Sequence, residues 1–177
     1  MSLLSQSAVR NRKDPAPAWR WVVDMPPLLN PPTAVPPGFK VVLDIPRGYV
    51  EAVTIPQYNF DSYSFVEASQ TFNMPSETGS LNANLTMYED SSYTTIKYLT
   101  TWSLLVRDYN GDYGNPSIFK KTIYCNLHDT ASHTTPKLTM KLVGCWLSSI
   151  DHISLEHRNS TNITYGVQLN VDNISIQ

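Results

Sequence analysis

From Leu81 to Tyr88 apolar and polar residues alternate without a break, with Leu81, Ala83, Leu85 and Met87 on one face and Asn82, Asn84, Thr86 and Tyr88 on the other. That two-residue period predicts a half-buried strand beginning at about residue 80. The spacing then lengthens to three or four, at Ile96, Leu99, Trp102 and Val106, which predicts an amphipathic helix over about 92–109. Asp90, Ser91 and Ser92 are available to cap its start, and Asn110-Gly111 supplies a left-handed exit. Its Tyr, Thr and Ile content gives weak intrinsic helix propensity, so the apolar face must be held by packing on a sheet. Ile96, Leu99, Trp102 and Val106 are therefore the candidate helix–sheet core.

The rest of the chain reads mainly as strands. Alternation predicts them at 49–58, 63–72, 121–128, 137–145, 150–157 and 163–176, with the first pair separated by Asn59, Asp61 and Ser62 and the next turn placed at 74–79. About eight strands and one helix result, a mainly β domain of antiparallel sheet. Residues 1–48 form an N-terminal segment with the first short strands and a Pro-rich arm, and 49–177 the remainder of a single domain. Prolines at 26, 27, 31, 32, 36, 37 and 46 fix φ and remove donors, so this arm is an extended connector. It either reaches across a neighbouring subunit or folds over its own domain.

Composition sharpens the picture at one point. Charged residues are 16% of the 177, against about 25% in ordinary globular chains. Neutral Ser, Thr and Asn replace them, and the polar face of 81–88 has no charge before Glu89. Such a face suits a sheet that joins neighbouring subunits or lines a wet channel, a plain solvated face being the alternative. A net charge of −2 excludes the basic footprint of a protein that grips nucleic acid by its phosphates. No apolar stretch of signal-peptide or membrane-spanning length is present, so the chain is expected to be made and kept in a cytosol, without membrane contact. Cys125 and Cys145 in strand-like segments are then expected to be reduced, buried thiols.

Candidate chemistry is sparse. His128, His133, His152 and His157, with Asp129 and Asp151, are the only cluster with metal-ligating or acid/base residue types, but their strand parities do not converge on one point. No Gly-rich phosphate loop, paired-cysteine motif or nucleophile elbow occurs. Neither catalysis nor a metal or cofactor is expected. Ten Tyr and four Trp could stack on sugars, but Trp19, Trp21, Trp102 and Trp146 are expected to be core or interface anchors.

Several elements in order resemble the tail-tube family of contractile-tail bacteriophages (myoviruses), which includes tube proteins, the baseplate proteins that initiate the tube, and the related type VI secretion tube proteins. The resemblance is carried by Arg20-Trp21-Val22-Val23 before the Pro-rich loop, by the strand segments 49–56 and 81–89, and by Tyr98-Leu99-Thr100-Thr101-Trp102 in the helix. It continues through Pro116-Ser117-Ile118-Phe119-Lys120-Lys121, the turn Val143-Gly144-Cys145-Trp146-Leu147 and the final strand segment 165–172. It covers about residues 19–176.

The resemblance implies a two-sheet antiparallel β-barrel or sandwich with one flanking helix. It also implies a structural virion protein whose six copies close into a ring around the channel for genome ejection. Implied partners are the homo-hexamer itself, adjacent tube and baseplate rings and nearby sheath proteins, with DNA passing the lumen unbound. The implied location is the phage tail, assembled in the host cytoplasm. Asn82, Asn84 and Thr86 are the candidate lumen-facing residues, and the 80–89 and 49–72 strands the expected wall. Leu147 stands where the family's turn has proline, and the arm is long. Both departures weigh against a plain repeating tube subunit, and an arm of that kind suits a baseplate-proximal or terminal ring that meets a different partner on one face, so a baseplate tube or tube-initiating protein is favoured. The remaining alternative is a carbohydrate- or receptor-binding β-sandwich of the virion.

Overall fold

The computed structural model describes residues 21–55, 60–67, 70–78, 81–128, 135–151 and 163–177. Among them are nine strands and two helices: β1 (Trp21–Asp24), β2 (Val50–Thr54), β3 (Phe60–Glu67), β4 (Gln70–Thr78), β5 (Leu81–Tyr88), α1 (Thr94–Val106), α2 (Pro116–Phe119), β6 (Lys121–His128), β7 (Pro136–Ile150), β8 (Thr164–Val171) and β9 (Asn173–Ile176). The class is mainly β and antiparallel, as the alternation predicts.

Seven strands share one sheet in the order β1-β6-β7-β8-β5-β2, with β9 also on β7. The fifteen-residue β7 divides this sheet into two leaves. Its first part pairs with β6 and β9, and its last part, Trp146 to Ile150, pairs with β8. Gly144 marks the change, with φ 70°, a conformation that L side chains rarely adopt. A Cβ there would overlap the Asp172 carboxylate, which Lys120 holds through both oxygens at 2.8 and 2.7 Å. The same corner divides the expected 163–176 strand into β8 and β9. The expected break between 145 and 150 is absent, because β7 continues through it from one leaf to the other.

A separate two-stranded sheet pairs β3 with β4. The strand expected over 63–72 spans parts of both β3 and β4, and most of the turn expected at 74–79 falls within β4. Pro75 prompted that turn, yet it lies within β4 opposite Ser62. A two-stranded sheet consists only of edges, so a residue without an N–H can face outward. The 49–72 segment is therefore not one piece of wall, and only β2 joins the main sheet.

One hydrophobic cluster joins both leaves to α1. Leu81, Ala83, Leu85 and Met87 of β5 meet Tyr165, Val167, Leu169 and Val171 of β8, with α1 adding Tyr98, Leu99, Trp102 and Leu105. Leu99 and Trp102 are fully buried, while Ile96 and Val106 are only half-buried. The buried arc thus runs through Thr95, Tyr98, Leu99, Thr101, Trp102 and Leu105. It is rotated from the expected one because two threonines lie inside it. Thr101 Oγ1 donates to Lys97 O at 2.7 Å and accepts from Val42 N at 3.2 Å, so its hydroxyl is satisfied in the packed face. Trp102 lies edge-on to Tyr98 and its Nε1 donates to Phe119 O at 2.8 Å.

The helix is also shorter than the expected 92–109 span, and none of the three expected residues is its immediate cap. Tyr93 precedes it at φ 57°, and two carboxylates reach forward instead. Asp90 Oδ1 accepts from Ser92 and Thr94 N at 2.8 and 3.0 Å, and Glu89 accepts from Thr95 and Ile96 N at 2.9 and 3.0 Å. The first three N–H groups of the helix, at Thr94, Thr95 and Ile96, thereby gain charged acceptors, and Ser92 N–H in the turn before it gains one too.

The Pro-rich segment does not extend away from the domain. Leu28 and Ile45 are buried in the common core, Leu28 N donates to Leu43 O, and Tyr98 Oη donates to Pro26 O at 2.7 Å. Of the two alternatives for the arm, residues 21–48 follow the second and strap their own helix. The expected contributions of Trp19, Pro56 and residues 152–157 lie outside the described residues.

Candidate functional site: the neutral face of the β2-β5-β8-β7 leaf

The side of this leaf turned away from α1 is built by register. Asn82 lies opposite Asn170, Asn84 opposite Gln168 and Thr86 opposite Gly166. On the flanking strands Thr54 faces Asn84, Ala52 faces Thr86, Ser149 faces Gln168 and Trp146 faces Asn170. Strict alternation makes β5 buried at 81, 83, 85 and 87, while Asn82 and Asn84 are exposed and Thr86 is half-buried. The three candidate residues thus share one face with amide and hydroxyl neighbours. No Lys or Arg occurs in β2, β5, β8 or residues 146–150. Such groups hydrate well and offer no cation to a passing phosphate.

Both sides of the leaf remain open to pairing. Among the described residues β2 pairs only with β5, and the 146–150 part of β7 only with β8. Unpaired N–H and C=O rows of this kind are templates for another strand.

One end of the leaf is tied to α1 by acids and phenols. Tyr49 Oη donates to Asp90 Oδ2 at 2.7 Å, and Tyr165 Oη donates to Glu89 Oε2 at 2.9 Å. Hydrogen bonds from Thr94 N–H and from Tyr49 hold the Asp90 carboxyl down at about 2, and the bond to Asp90 pushes Tyr49 up to about 12. Tyr165 is also raised, mainly by burial and then by Glu89. These groups are saturated with local partners and serve as a clamp.

Burial, the first cause in each case, pushes the thiols of Cys125 and Cys145 up to about 11 and about 12. Both are free and stay protonated and unreactive at neutral pH. Among the described residues no group of three His, Cys, Asp or Glu could hold a metal ion. His128 ends β6, while His133, His152, His157 and Asp129 lie outside the described residues. No helix among the described residues is long and apolar enough to cross a membrane.

Two acidic residues at the borders of this leaf were not expected there from the sequence. Glu51 is the extra residue of a β-bulge in β2 between Val50 and Ala52, and both Glu51 and Ala52 are exposed beside Thr86. Asp151 follows β7, donates its N–H to Gly166 O at 2.8 Å, and lays its carboxylate where a Gly166 side chain would project. A glycine within an alternating strand is the sequence signal for such a close approach.

The fold is that of tail-tube-type proteins. No protein-family model matches the chain, and no curated protein matches it. Among solved structures it is similar to a chain in the cryo-EM structure of the sheath/tube terminator of an extracellular contractile injection system (PVC), with 17% identity, 93% of this chain and 98% of that chain covered, and a TM-score of 0.67. A chain in the anti-feeding prophage cap, described as a tube-terminating cap, gives 15% identity, coverages of 94% and 93%, and a TM-score of 0.68. A chain in the PVC sheath–tube complex gives 17% identity, 99% coverage of both chains and a TM-score of 0.66.

Proposed function

We propose that the chain is a structural subunit of a contractile-tail tube, that six copies close into a ring, and that the neutral face lines its channel. The observation that carries this reading is a leaf with three laterally aligned polar rows and two open edges. Joining β2 of one copy to the 146–150 part of β7 in the next continues the leaf and removes both edges. A closed wall also accounts for the low charge, since the polar rows then face confined water.

Similarity to chains from tube, terminator and cap structures supports this role. The β3–β4 hairpin suits it as well. Phe65 stacks on Phe72 with centroids 5.4 Å apart, and Phe65, Val66, Phe72 and Met74 are all exposed, so another copy is the natural cover. The ground for a baseplate-initiating place was the reach of the Pro-rich arm. Residues 21–48 are folded on α1, so that ground falls away for them and the reading rests on ring building. Adjacent rings and a surrounding sheath are the partners this role implies, and genome or other cargo passes without specific binding.

Native mass spectrometry of the purified protein tests the reading. A species six times the 19.9 kDa chain, imaged as rings, is the expected result. A stable monomer or trimer at assembly concentrations would refute it. Stacking separates the two places in the tube, since a repeating subunit extends into open-ended tubes and an end ring stops at one layer. Asn84→Lys should leave the fold intact and retard DNA passage, because the site is exposed and the added cation attracts phosphate.

A further inference from the structure

Helix α1 leaves through a turn that needs a glycine, and that glycine creates the dipeptide most open to deamidation in the whole chain. Gly111 has φ 95°, a left-handed conformation that L side chains rarely adopt, and Asn110 precedes it. Asn110-Gly111 is the one Asn-Gly pair of the sequence, and Asn110 is exposed. A glycine has no side chain to hinder attack of its backbone nitrogen on the preceding amide. In that reaction Gly111 N bonds to Asn110 Cγ, the Cγ–NH2 bond breaks, and ammonia leaves with the proton of the Gly111 N–H. Water then opens the cyclic imide at either carbonyl, which leaves aspartate or isoaspartate at position 110.

The fold takes away what this reaction needs. Three successive N–H groups are donated to Asp108, those of Asn110 and Asp112 to Oδ1, each at 2.9 Å, and that of Gly111 to the backbone oxygen at 3.0 Å. Asp108 N in turn donates to Asp112 O at 2.9 Å, and Arg107 Nε donates to Gly111 O at 3.1 Å. The attacking nitrogen is engaged, and the peptide units around it cannot rotate toward Cγ without breaking several of these bonds together.

We infer that Asp108 protects Asn110 from spontaneous deamidation. The protection belongs to the single subunit and does not depend on ring closure. Conversion would place a third carboxylate between Asp108 and Asp112, and the isoaspartyl form would add a methylene to the backbone of the turn that pairs Arg107 with Tyr113. That turn forms one wall of a cleft of about 270 Å³, with Pro31 and Pro32 of the Pro-rich segment on the other.

The test is incubation of the full chain at neutral pH beside a synthetic peptide of residues 106–116, with conversion of the amide at 110 followed by mass spectrometry and isoaspartate by enzymatic methylation. Asn115 is the unreactive control in both samples, because Pro116 after it has no N–H. The folded chain should convert at least about tenfold more slowly than the peptide, since the turn must open against several hydrogen bonds before the attack. Asp108→Ala removes the Oδ1 acceptor and should return most of that rate, whereas Asp108→Asn keeps an oxygen acceptor there and should stay slow. Hydrogen exchange of the wild-type chain reads the same turn without a variant, and the Gly111 N–H should be protected. A wild-type chain that converts as fast as the peptide, or a Gly111 N–H that exchanges freely, would overturn the inference. Asp108→Ala that converts as slowly as the wild type would overturn the role of Asp108.

Discussion

Strand β5 and the β3–β4 hairpin are neighbours in sequence and similar in strand length, yet their apolar residues meet opposite fates. The four inward residues of β5 are at most 7% exposed, paired with β8 and β2 and sharing one hydrophobic cluster with α1. In the hairpin Phe65 is 37%, Phe72 42%, Met74 46% and Val66 71% exposed. Alternation builds a strand in both places, but among the described residues only β5 has a second layer from its own chain. The difference separates what the subunit needs in order to fold from what it holds ready for a partner.

Removing the second layer of β5 should have the largest effect on stability. Trp102→Ala empties the best-packed point of α1 and strands Phe119 O, so a loss of about 3–5 kcal/mol is expected in chemical denaturation. An unchanged midpoint would mean that the helix is not what covers β5. Gly144→Ala should follow, with about 2 kcal/mol from the left-handed backbone and the displaced Asp172–Lys120 pair. Its signature is a loosening of β7 and β9 in hydrogen exchange while the hairpin is unaffected.

The clamp between leaf and helix gives the comparison a pH dependence. Asp90 is depressed from 3.8 to about 2, so its contribution is fully present above pH 4 and is lost as pH falls through 2. Tyr49 is raised from 10.0 to about 12, so its contribution is present below pH 10 and is lost as pH rises through 12. Asp90→Asn should flatten the acid side of the stability profile between pH 4 and 2. A profile of unchanged slope would remove Asp90 from the clamp. The smallest effect on monomer stability, under about 0.5 kcal/mol, is expected for Phe65→Ser with Phe72→Ser. Those substitutions should instead abolish assembly, and a destabilised monomer would show that the hairpin is already covered.

Legibility in the sequence followed the same division. The β5 alternation and the β6 limits at Lys121 and His128 could be read directly, because one face of each is apolar and local turn residues bound it. The helix was legible in kind but not in facing. Thr95 and Thr101 count as polar in any periodicity, and only tertiary hydrogen bonds make them interior residues. Residues 74–79 read as a turn because Pro75, Ser76 and Gly79 are turn formers, and nothing local reveals that β4 belongs to a two-stranded sheet that tolerates a proline. The polar rows of the face were visible, but its acids were not. Glu51 reaches the face through a bulge and Asp151 through contact with a glycine in another strand, and both depend on pairing between distant segments.

A cryo-EM reconstruction of the assembled protein tests the central claim most directly. The account predicts a closed ring of six with β2 of each copy paired to the 146–150 part of β7 in the next, Asn82, Asn84 and Thr86 facing the bore, and α1 outside. A ring of another order, a leaf edge left unpaired, or Asn84 on the outer surface or in a dry subunit contact would contradict it.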